Sequence, residues 1–242
     1  MASRVPPTHT PGYLEALIQP NTEPVYSDIV SIDETGLHTE DGNFHEVDLI
    51  VCATGFDMAW TPHFELRGVD DARIQDAWSP VPNCYLGIAA PGFPNYWVMN
   101  GPRGNLCNGT VIPCFETQLD YVIQAAKKIQ SDRIRAIEVK QDITTALNKY
   151  IDTWHEGGVW SGECKSWYKN NTKGGKIMCW GGSSIHYLKS IKYPRWEHYH
   201  IRYIDDNPWA FLGNGRTKGE WYDDFEMMTP YFRLSHTPWD IE

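Results

Sequence analysis

Residues 46–56 read Glu46-Val-Asp-Leu-Ile-Val-Cys-Ala-Thr-Gly-Phe56 and form a nearly continuous apolar run. A run that is apolar on both faces predicts a central β-strand with further layers above and below it. The small residues at its end allow the backbone to approach a flat or charged ligand closely. Open α/β sheets bind ligands at the carboxyl ends of their strands, so this turn is a candidate binding site. The alternative is a tight structural turn that binds nothing.

The composition is that of a globular protein. The 242 residues are 41% hydrophobic and 21% charged, with a formal net charge of -10. This acidic balance, without a long Lys/Arg run, argues against a nucleic-acid partner. No apolar run approaches the ~18 residues of a transmembrane segment, and the N-terminus lacks the apolar core of a signal peptide. Six dispersed cysteines without a C-x-x-C pair complete the pattern of a cytoplasmic protein with reduced thiols.

Strand signals precede and follow the central run. Val25–Ile32 and Gly36–Thr39 predict a small β-meander, with a hairpin turn at Asp41-Gly42. Apolar segments at Tyr85–Ala89 and Tyr96–Met99 predict two further strands.

Helical periodicity is clearest after residue 110. Apolar residues recur there at spacings of three and four, at Ile112, Phe115, Leu119, Val122, Ile123, Ala126 and Ile129. Asn108 or Thr110 is the expected N-cap. A strand is predicted over Arg133–Val139. A second helix should begin near Asp142, and its expected apolar face consists of Ile143, Leu147, Tyr150 and Trp154. Ser183 should cap a third helix.

The loop over 100–110 is rich in Gly and Asn and leads into the first of these helices. A helix N-terminus attracts negative charge, because its free N–H groups and its dipole point outward. Reduced flavin, which is negatively charged along one edge of its ring, suits such a site. The alternative is an ordinary capped helix.

A second candidate nucleotide contact lies in the Gly-, Trp- and Lys-rich stretch 157–184. Trp167 in a flexible basic loop could cover a nucleotide, with lysines meeting its phosphates. The alternative is an exposed loop whose tryptophan packs on the core. The histidines show no metal-ligand spacing with carboxylates or thiols, so no metal site is expected.

Four segments together resemble class B flavin monooxygenases of the Baeyer–Villiger type. Asp48 to Phe56 resembles their D-x-x-x-x-A-T-G-[FY] segment, and 93–102 resembles the strand and turn that follow it. Residues 108–110, with Glu116 and Gln118, resemble the flavin-facing helix start of the family. Residues 165–176 are similar to the mobile loop whose tryptophan closes over NADP. The four segments occur in the family's order.

The resemblance implies an enzyme that inserts one oxygen atom from O2 into a small-molecule ketone, with FAD and NADPH as cofactors, in secondary metabolism. It assigns no catalytic residue. It implies that Trp167 covers the nicotinamide, and that FAD contacts are made by Asp48, Ala53, Thr54, Gly55, Phe56, Asn108, Gly109 and Thr110.

The sequence departs from the family by lacking both G-x-G-x-x-G motifs, which hold FAD and NADPH, and the fingerprint between them. The resemblance therefore covers a C-terminal portion only. It implies an α/β, glutathione-reductase-like three-layer fold that lacks its N-terminal dinucleotide-binding half. The alternative function is a non-catalytic remnant or interaction module that does not bind FAD alone. Unpaired sheet edges then predict aggregation, or a second chain that completes the fold.

The expected organisation has four parts. Residues 1–23 form an irregular N-terminal segment. Residues 24–156 form the C-terminal part of an FAD-binding domain, and 157–204 form a mobile loop and a helix. Residues 205–242 form an extension that packs on the body through its many aromatic side chains.

Overall fold

The computed structural model describes residues 12–54, 60–106, 111–163 and 166–229. The chain divides into two compact units, Met1–Ala59 and Trp60–Glu242, and each is described by itself. This division falls inside the segment 24–156, which the sequence predicts as one domain.

The first unit contains a short helix and an antiparallel meander. Helix α1 spans Tyr13–Leu17, and the strands are β1 (Ile29–Ile32), β2 (Gly36–Thr39) and β3 (Phe44–Glu46), paired in the order β1-β2-β3. The predicted hairpin turn is present, since the Gly42 N–H donates to the Thr39 carbonyl at 2.9 Å. The meander is therefore confirmed, with a shorter first strand than expected.

The predicted central strand does not form. Residues 47–54 are irregular, and their apolar side chains face solvent, with Leu49 78% and Val51 79% exposed. A strand needs backbone partners, and within the described residues the only sheet of this unit ends with β3 at Glu46. The prediction was wrong because apolar composition alone cannot supply a neighbouring strand.

The second unit holds the remaining elements. Its helices are α2 (Ile74–Ala77), α3 (Ile112–Ser131), α4 (Gln141–His155), α5 (Ser184–Ile191), α6 (Lys218–Trp221) and α7 (Phe225–Met228). Its strands are β4 (Ile134–Val139) and β5 (Tyr199–Tyr203), which pair antiparallel. Short 3-10 turns lie at Val69–Asp71, Val159–Ser161, Trp167–Lys169, Trp196–His198 and Ala210–Leu212. The predicted helix α3, strand β4 and Ser183 cap of α5 are confirmed, although β4 begins at Ile134, one residue later than predicted, and the N-cap position of α3 is Val111.

The main core of this unit packs α3, α4 and α5 around β4 and β5. Its largest buried side chains are aromatic, at Tyr85, Tyr121, Trp180, Tyr187 and Tyr199. Tyr121 and Tyr199 share a hydrogen bond of 2.6 Å between their hydroxyl groups, so the two buried phenols satisfy each other. A smaller core forms beside it from Ile74, Trp78, Cys84, Ala90 and Phe93.

Two predicted strands are replaced by a buried turn. Tyr85 and Ala89 form an isolated bridge with each other, and Ala89 forms another with Trp97. The chain reverses between Tyr85 and Ala89 because Leu86 and Gly87 adopt the left-handed backbone conformation, with φ of 54° and 68°. The apolar residues of Tyr85–Ala89 are buried in this turn, whereas Tyr96–Val98 are half-buried and Met99 is exposed.

The buried faces of both long helices differ from the predicted apolar faces. Helix α3 buries Cys114, Gln118, Tyr121 and Ala125, whereas Ile112 and Leu119 are 66% and 51% exposed. Helix α4 buries Thr144, Asn148, Ile151 and His155. Several of these buried residues are polar, and hydropathy does not predict which polar side chains find partners inside the core.

The described residues give an α/β fold without the expected three layers. Their two sheets have three and two strands, and both are antiparallel. None of the described helices is long and apolar enough to cross a membrane.

The C-terminal region also departs from expectation in the part that is described. Its aromatic side chains face solvent instead of packing on the body, with Trp209, Trp221 and Phe225 64–66% exposed. The expectation of uniformly reduced thiols is wrong at Cys179, which is disulfide-bonded. Cys52, Cys84 and Cys114 are free.

We expect the chain to self-associate through its exposed apolar segment 47–54. Val51→Lys should reduce the apparent mass measured by light scattering, because a charge opposes pairing of an apolar strand. Thr22→Lys adds the same charge at another exposed position of the first unit and should leave the association unchanged. A monodisperse wild-type monomer would contradict the prediction.

A second prediction concerns acid stability and His155. Burial lowers the pKa of this imidazole below its usual 6.5, and its Nε2 lies 3.2 Å from the Cys179 carbonyl. The folded state therefore prefers the neutral ring, so this stabilisation is complete above about pH 6.5 and is lost as pH falls through the lowered pKa. His155→Gln should flatten the decline in Tm over this range, as measured by thermal unfolding.

The matched control is His200→Gln, which replaces an exposed imidazole on β5. The Tm of this variant should decrease with falling pH as much as that of the wild-type chain. An unchanged decline in the His155 variant would show that another group causes the acid sensitivity.

Candidate functional site

The nine predicted cofactor contacts are only partly described. Asp48, Ala53 and Thr54 lie on exposed, irregular backbone of the first unit, and Trp167 lies in the second unit. The others lie outside the described residues: Gly55, Phe56, Asn108, Gly109 and Thr110. The site is therefore built from the segments that lead to these positions.

The loop 100–106, which precedes α3, packs its backbone against the buried turn at Gly87. A Cβ atom at Gly101 would lie 2.8 Å from the Gly87 carbonyl oxygen, and one at Gly104 would lie 2.9 Å from the Gly87 Cα. The Gly101 N–H donates to the Gly87 carbonyl at 2.9 Å. These three glycines thus permit close contact between two backbones of the chain itself.

A buried hydrogen-bond chain fixes the start of this loop. The Asn100 N–H donates to Gln118 Oε1 at 2.8 Å, and Gln118 Nε2 donates to the Tyr187 hydroxyl at 2.6 Å. The Tyr187 hydroxyl donates in turn to the Leu86 carbonyl at 2.6 Å. Burial raises the pKa of Tyr187, so the phenol remains a neutral donor. The loop is thereby bonded to the interior faces of α3 and α5.

Arg103 fixes the middle of the loop. Its side chain is 2% exposed, Nη2 lies 2.9 Å from Asp152 Oδ1, and Nη1 donates to the Asn148 carbonyl at 2.8 Å. Burial lowers the pKa of Arg103, and the adjacent Asp152 carboxylate opposes that effect. Asp152 Oδ2 also accepts from Lys176 Nζ at 2.7 Å. One carboxylate on α4 therefore lies between two cations.

Trp167 lies on a short 3-10 turn and is 42% exposed. Its ring meets Tyr168 edge-on, with centroids 5.8 Å apart. The neighbouring backbone is anchored, because the Met178 N–H donates to the Tyr168 carbonyl at 2.7 Å. This exposure disfavours the alternative in which Trp167 packs fully on the core, and leaves a ring face available to a ligand.

The N-terminus of α3 has no side-chain cap among the described residues. The helix has 20 residues, and its N-cap position, Val111, makes no side-chain capping bond. Pro113 has no N–H, and the Cys114 N–H donates to the Val111 carbonyl at 3.0 Å, so the helix dipole is the main attraction for an anion here. Both predicted caps, Asn108 and Thr110, lie outside the described residues. The arrangement can therefore orient a flat, negatively charged group, and it contains no evident acid–base pair.

Other chemistry is limited in the described residues. They contain no group of three or more His, Cys, Asp or Glu side chains that could hold a metal ion. An open cleft of ≈ 460 Å³ lies between α4 and α5, and no residue of the predicted site lines it.

Sequence reasoning missed the buried ion pair of Arg103 and Asp152 and the bond between Gln118 and Tyr187. The sequence Gly101-Pro-Arg-Gly104 marks a turn that contains one basic residue, but it gives no sign that this residue is buried or paired. The pairing of Gln118 with Tyr187, 69 residues apart, left no local signal.

Comparison with known proteins places this geometry in context. No protein-family model matches the chain. The FAD-binding monooxygenase moxY of Dothistroma septosporum is 38% identical over 233 residues, which are 94% of this chain and 37% of that protein. The FAD-binding monooxygenase stcW of Emericella nidulans is 41% identical over 210 residues, which are 86% of this chain and 35% of that protein.

Bacterial proteins are similar as well. A Baeyer–Villiger monooxygenase of Pseudomonas aeruginosa is 31% identical over 173 residues, or 71% of this chain and 33% of that protein. The crystal structure of cyclohexanone monooxygenase from Rhodococcus sp. Phi1 bound to NADP+ matches with a TM-score of 0.65 and 26% identity. That match covers 79% of this chain and 38% of the other.

The chain thus spans little more than a third of the length of the relatives it matches. The order of its motifs and its similarity to solved structures both indicate flavin-dependent monooxygenases. The resemblance predicted from four short segments is confirmed: over most of its length the chain is homologous to a portion of the flavin-dependent monooxygenases that include the Baeyer–Villiger enzymes.

Proposed function

We propose that this chain is the part of a Baeyer–Villiger-type monooxygenase that faces the flavin ring, in an enzyme that inserts one oxygen atom from O2 into a small-molecule ketone. The observation that carries the proposal is the fixed loop 100–106, which leads toward the N-terminus of α3, where the N-cap position Val111 makes no side-chain capping bond. FAD and NADPH are the cofactors proposed for the complete site, as the names and bound ligands of the relatives suggest.

The described residues fit one end of FAD. The N-terminus of α3 suits the negatively charged edge of a reduced flavin ring, and the loop before it is held by Gln118 and Arg103. The phosphate end has no counterpart, because the sequence lacks a G-x-G-x-x-G loop. When bound, FAD supplies the electron transfer and oxygen activation that amino-acid side chains cannot provide. The chain's own residues orient the ring and exclude water.

Trp167 is the proposed cover for the nicotinamide of NADPH. Its partly exposed indole, on a turn anchored through Tyr168 and Met178, is suited to stacking on a flat ring. Asp48, Ala53, Thr54, Gly55, Phe56, Asn108, Gly109 and Thr110 remain proposed FAD contacts.

A second function is favoured by the exposed apolar segment 47–54. Exposed apolar side chains such as Leu49 and Val51 suit a module that binds another protein chain and does not bind FAD alone. In that case the partner would complete the sheet. The two functions differ in whether a supplied dinucleotide-binding half restores catalysis.

We predict that the isolated chain binds FAD weakly. After incubation with FAD and gel filtration, it should show little absorbance in the flavin bands at about 350–500 nm, because most affinity for a dinucleotide comes from its phosphates. Stoichiometric retention of flavin would overturn this prediction.

The decisive experiment adds the portion of a relative that this chain does not cover. The N-terminal portion of the D. septosporum relative, supplied as a separate polypeptide, should restore flavin absorbance and ketone-dependent NADPH oxidation if the chain is part of an enzyme. Restored association without flavin or NADPH oxidation would favour the interaction module.

In that reconstituted protein, Trp167→Ala should raise the KM for NADPH by roughly threefold to tenfold, as expected for a lost aromatic stack. Flavin absorbance should be unchanged, because the proposed contact is to the nicotinamide. Trp221→Ala, which removes an exposed tryptophan from α6, is the control and should leave KM unchanged. Equal KM values for both variants would remove Trp167 from the site.

A further inference from the structure

Two segments of the second unit run side by side, the Arg103 loop (residues 100–106) and the Trp167 segment (residues 166–180). The Arg103 N–H donates to the Met178 carbonyl at 3.2 Å, and the Trp180 N–H donates to the Asn105 carbonyl at 2.9 Å. Asn105 and Cys179 form a parallel bridge between them. Two backbone hydrogen bonds, together with the bridge between Asn105 and Cys179, thus join the two segments.

The side chains add a second connection through α4. Asp152 forms two ion pairs. Its Oδ1 lies 2.9 Å from Arg103 Nη2, and its Oδ2 lies 2.7 Å from Lys176 Nζ. Arg103 belongs to the first segment, and Lys176 belongs to the second. The carboxylate is therefore the one side chain, in the described part of the molecule, that pairs ionically with both segments.

The two ion pairs are unequal in their surroundings. Arg103 is 2% exposed, and Asp152 is its only carboxylate partner among the described residues, whereas Lys176 is 51% exposed. A buried cation that loses its partner is strongly unfavourable, so the Arg103 loop cannot keep its conformation if the carboxylate turns away. Lys176 holds the second oxygen and limits that rotation. The exposed ion pair of Lys176 and Asp152 thereby orients the Asp152 carboxylate toward the buried Arg103.

The connection extends to the tryptophan itself. The Met178 N–H donates to the carbonyl of Tyr168, which is next to Trp167 on the same 3-10 turn, and the Met178 carbonyl accepts from Arg103. A displacement of this turn therefore changes hydrogen bonds that end in the Arg103 loop.

We propose that Asp152 is a positioning residue that makes the Arg103 loop and the Trp167 segment change conformation together. Through this carboxylate, binding or release of a nicotinamide nucleotide at Trp167 is transmitted to the loop that precedes α3. That consequence rests on the proposed function, whereas the coupling between the segments does not.

Hydrogen–deuterium exchange, followed by mass spectrometry on the full chain, tests the coupling without any cofactor. Lys176→Met removes the exposed partner and leaves Arg103 paired. It should speed exchange roughly twofold to fivefold in peptides from both segments, as expected for loss of a half-exposed ion pair. Lys176→Arg keeps the cation and should exchange like the wild-type chain. Reductant is held constant, because Cys179 is disulfide-bonded.

Asp152→Asn should have a larger effect in both segments, about tenfold or more, because it leaves Arg103 without a counter-ion. Asp120→Asn makes the same change at an exposed position of α3 and is the control. If the Asp152 variant does not fold, the two Lys176 variants decide the question.

Faster exchange confined to the Trp167 segment in Lys176→Met would overturn the proposal, since a merely local role predicts that result. It is equally overturned if Lys176→Arg exchanges like Lys176→Met, or if Asp152→Asn exchanges like Asp120→Asn. Because no outcome depends on FAD or NADPH, failure of the proposed function leaves the interpretation of these measurements unchanged.

Discussion

The conformation of the candidate site depends on one buried cation, the guanidinium of Arg103. A charge enclosed in protein must be paired and hydrogen-bonded. Here one carboxylate and one carbonyl of α4 bind the two Nη atoms, while the buried Nε has no hydrogen-bond partner among the described residues. This requirement ties the loop 100–106 to α4, while Gln118 and Tyr187 tie its beginning to α3 and α5. The path of the loop toward the α3 N-terminus follows from these bonds, and the glycines allow the close approach that the bonds require.

Local patterns were sufficient for some elements and misleading for others. The long helices and β4 were predictable because helical periodicity and runs of strand-forming residues are encoded by near neighbours. Their buried faces were not, because Thr144, Asn148 and Gln118 take interior positions that hydropathy assigns to water. Each bonds to a specific partner: the Thr144 hydroxyl donates to the Lys140 carbonyl, and Asn148 Nδ2 donates to Asn83, although the buried Asn148 Oδ1 has no partner among the described residues. Those partners can be identified only from the three-dimensional structure.

In the segment 46–56, the sequence predicted the protein family but not the local structure. Its motif correctly predicted the homology, yet the strand itself does not form in the described residues. A motif is a property of the chain, whereas a central strand is a property of a sheet with neighbours on both sides. Of the candidate site, sequence could name the cofactor-facing segments by resemblance. It could not reveal the ion pair or the hydrogen-bond chain that support them.

The contact between Gly87 and Gly104 has a consequence for how this protein can vary. Most close contacts in a core can be relieved when a partner residue becomes smaller after a substitution enlarges its neighbour. Here both partners already lack a side chain, and each Cβ would meet the other's backbone. No second-site reversion by a smaller residue exists for either position. We therefore expect both positions to remain glycine during evolution, since a change to alanine at one cannot be compensated by a smaller residue at the other.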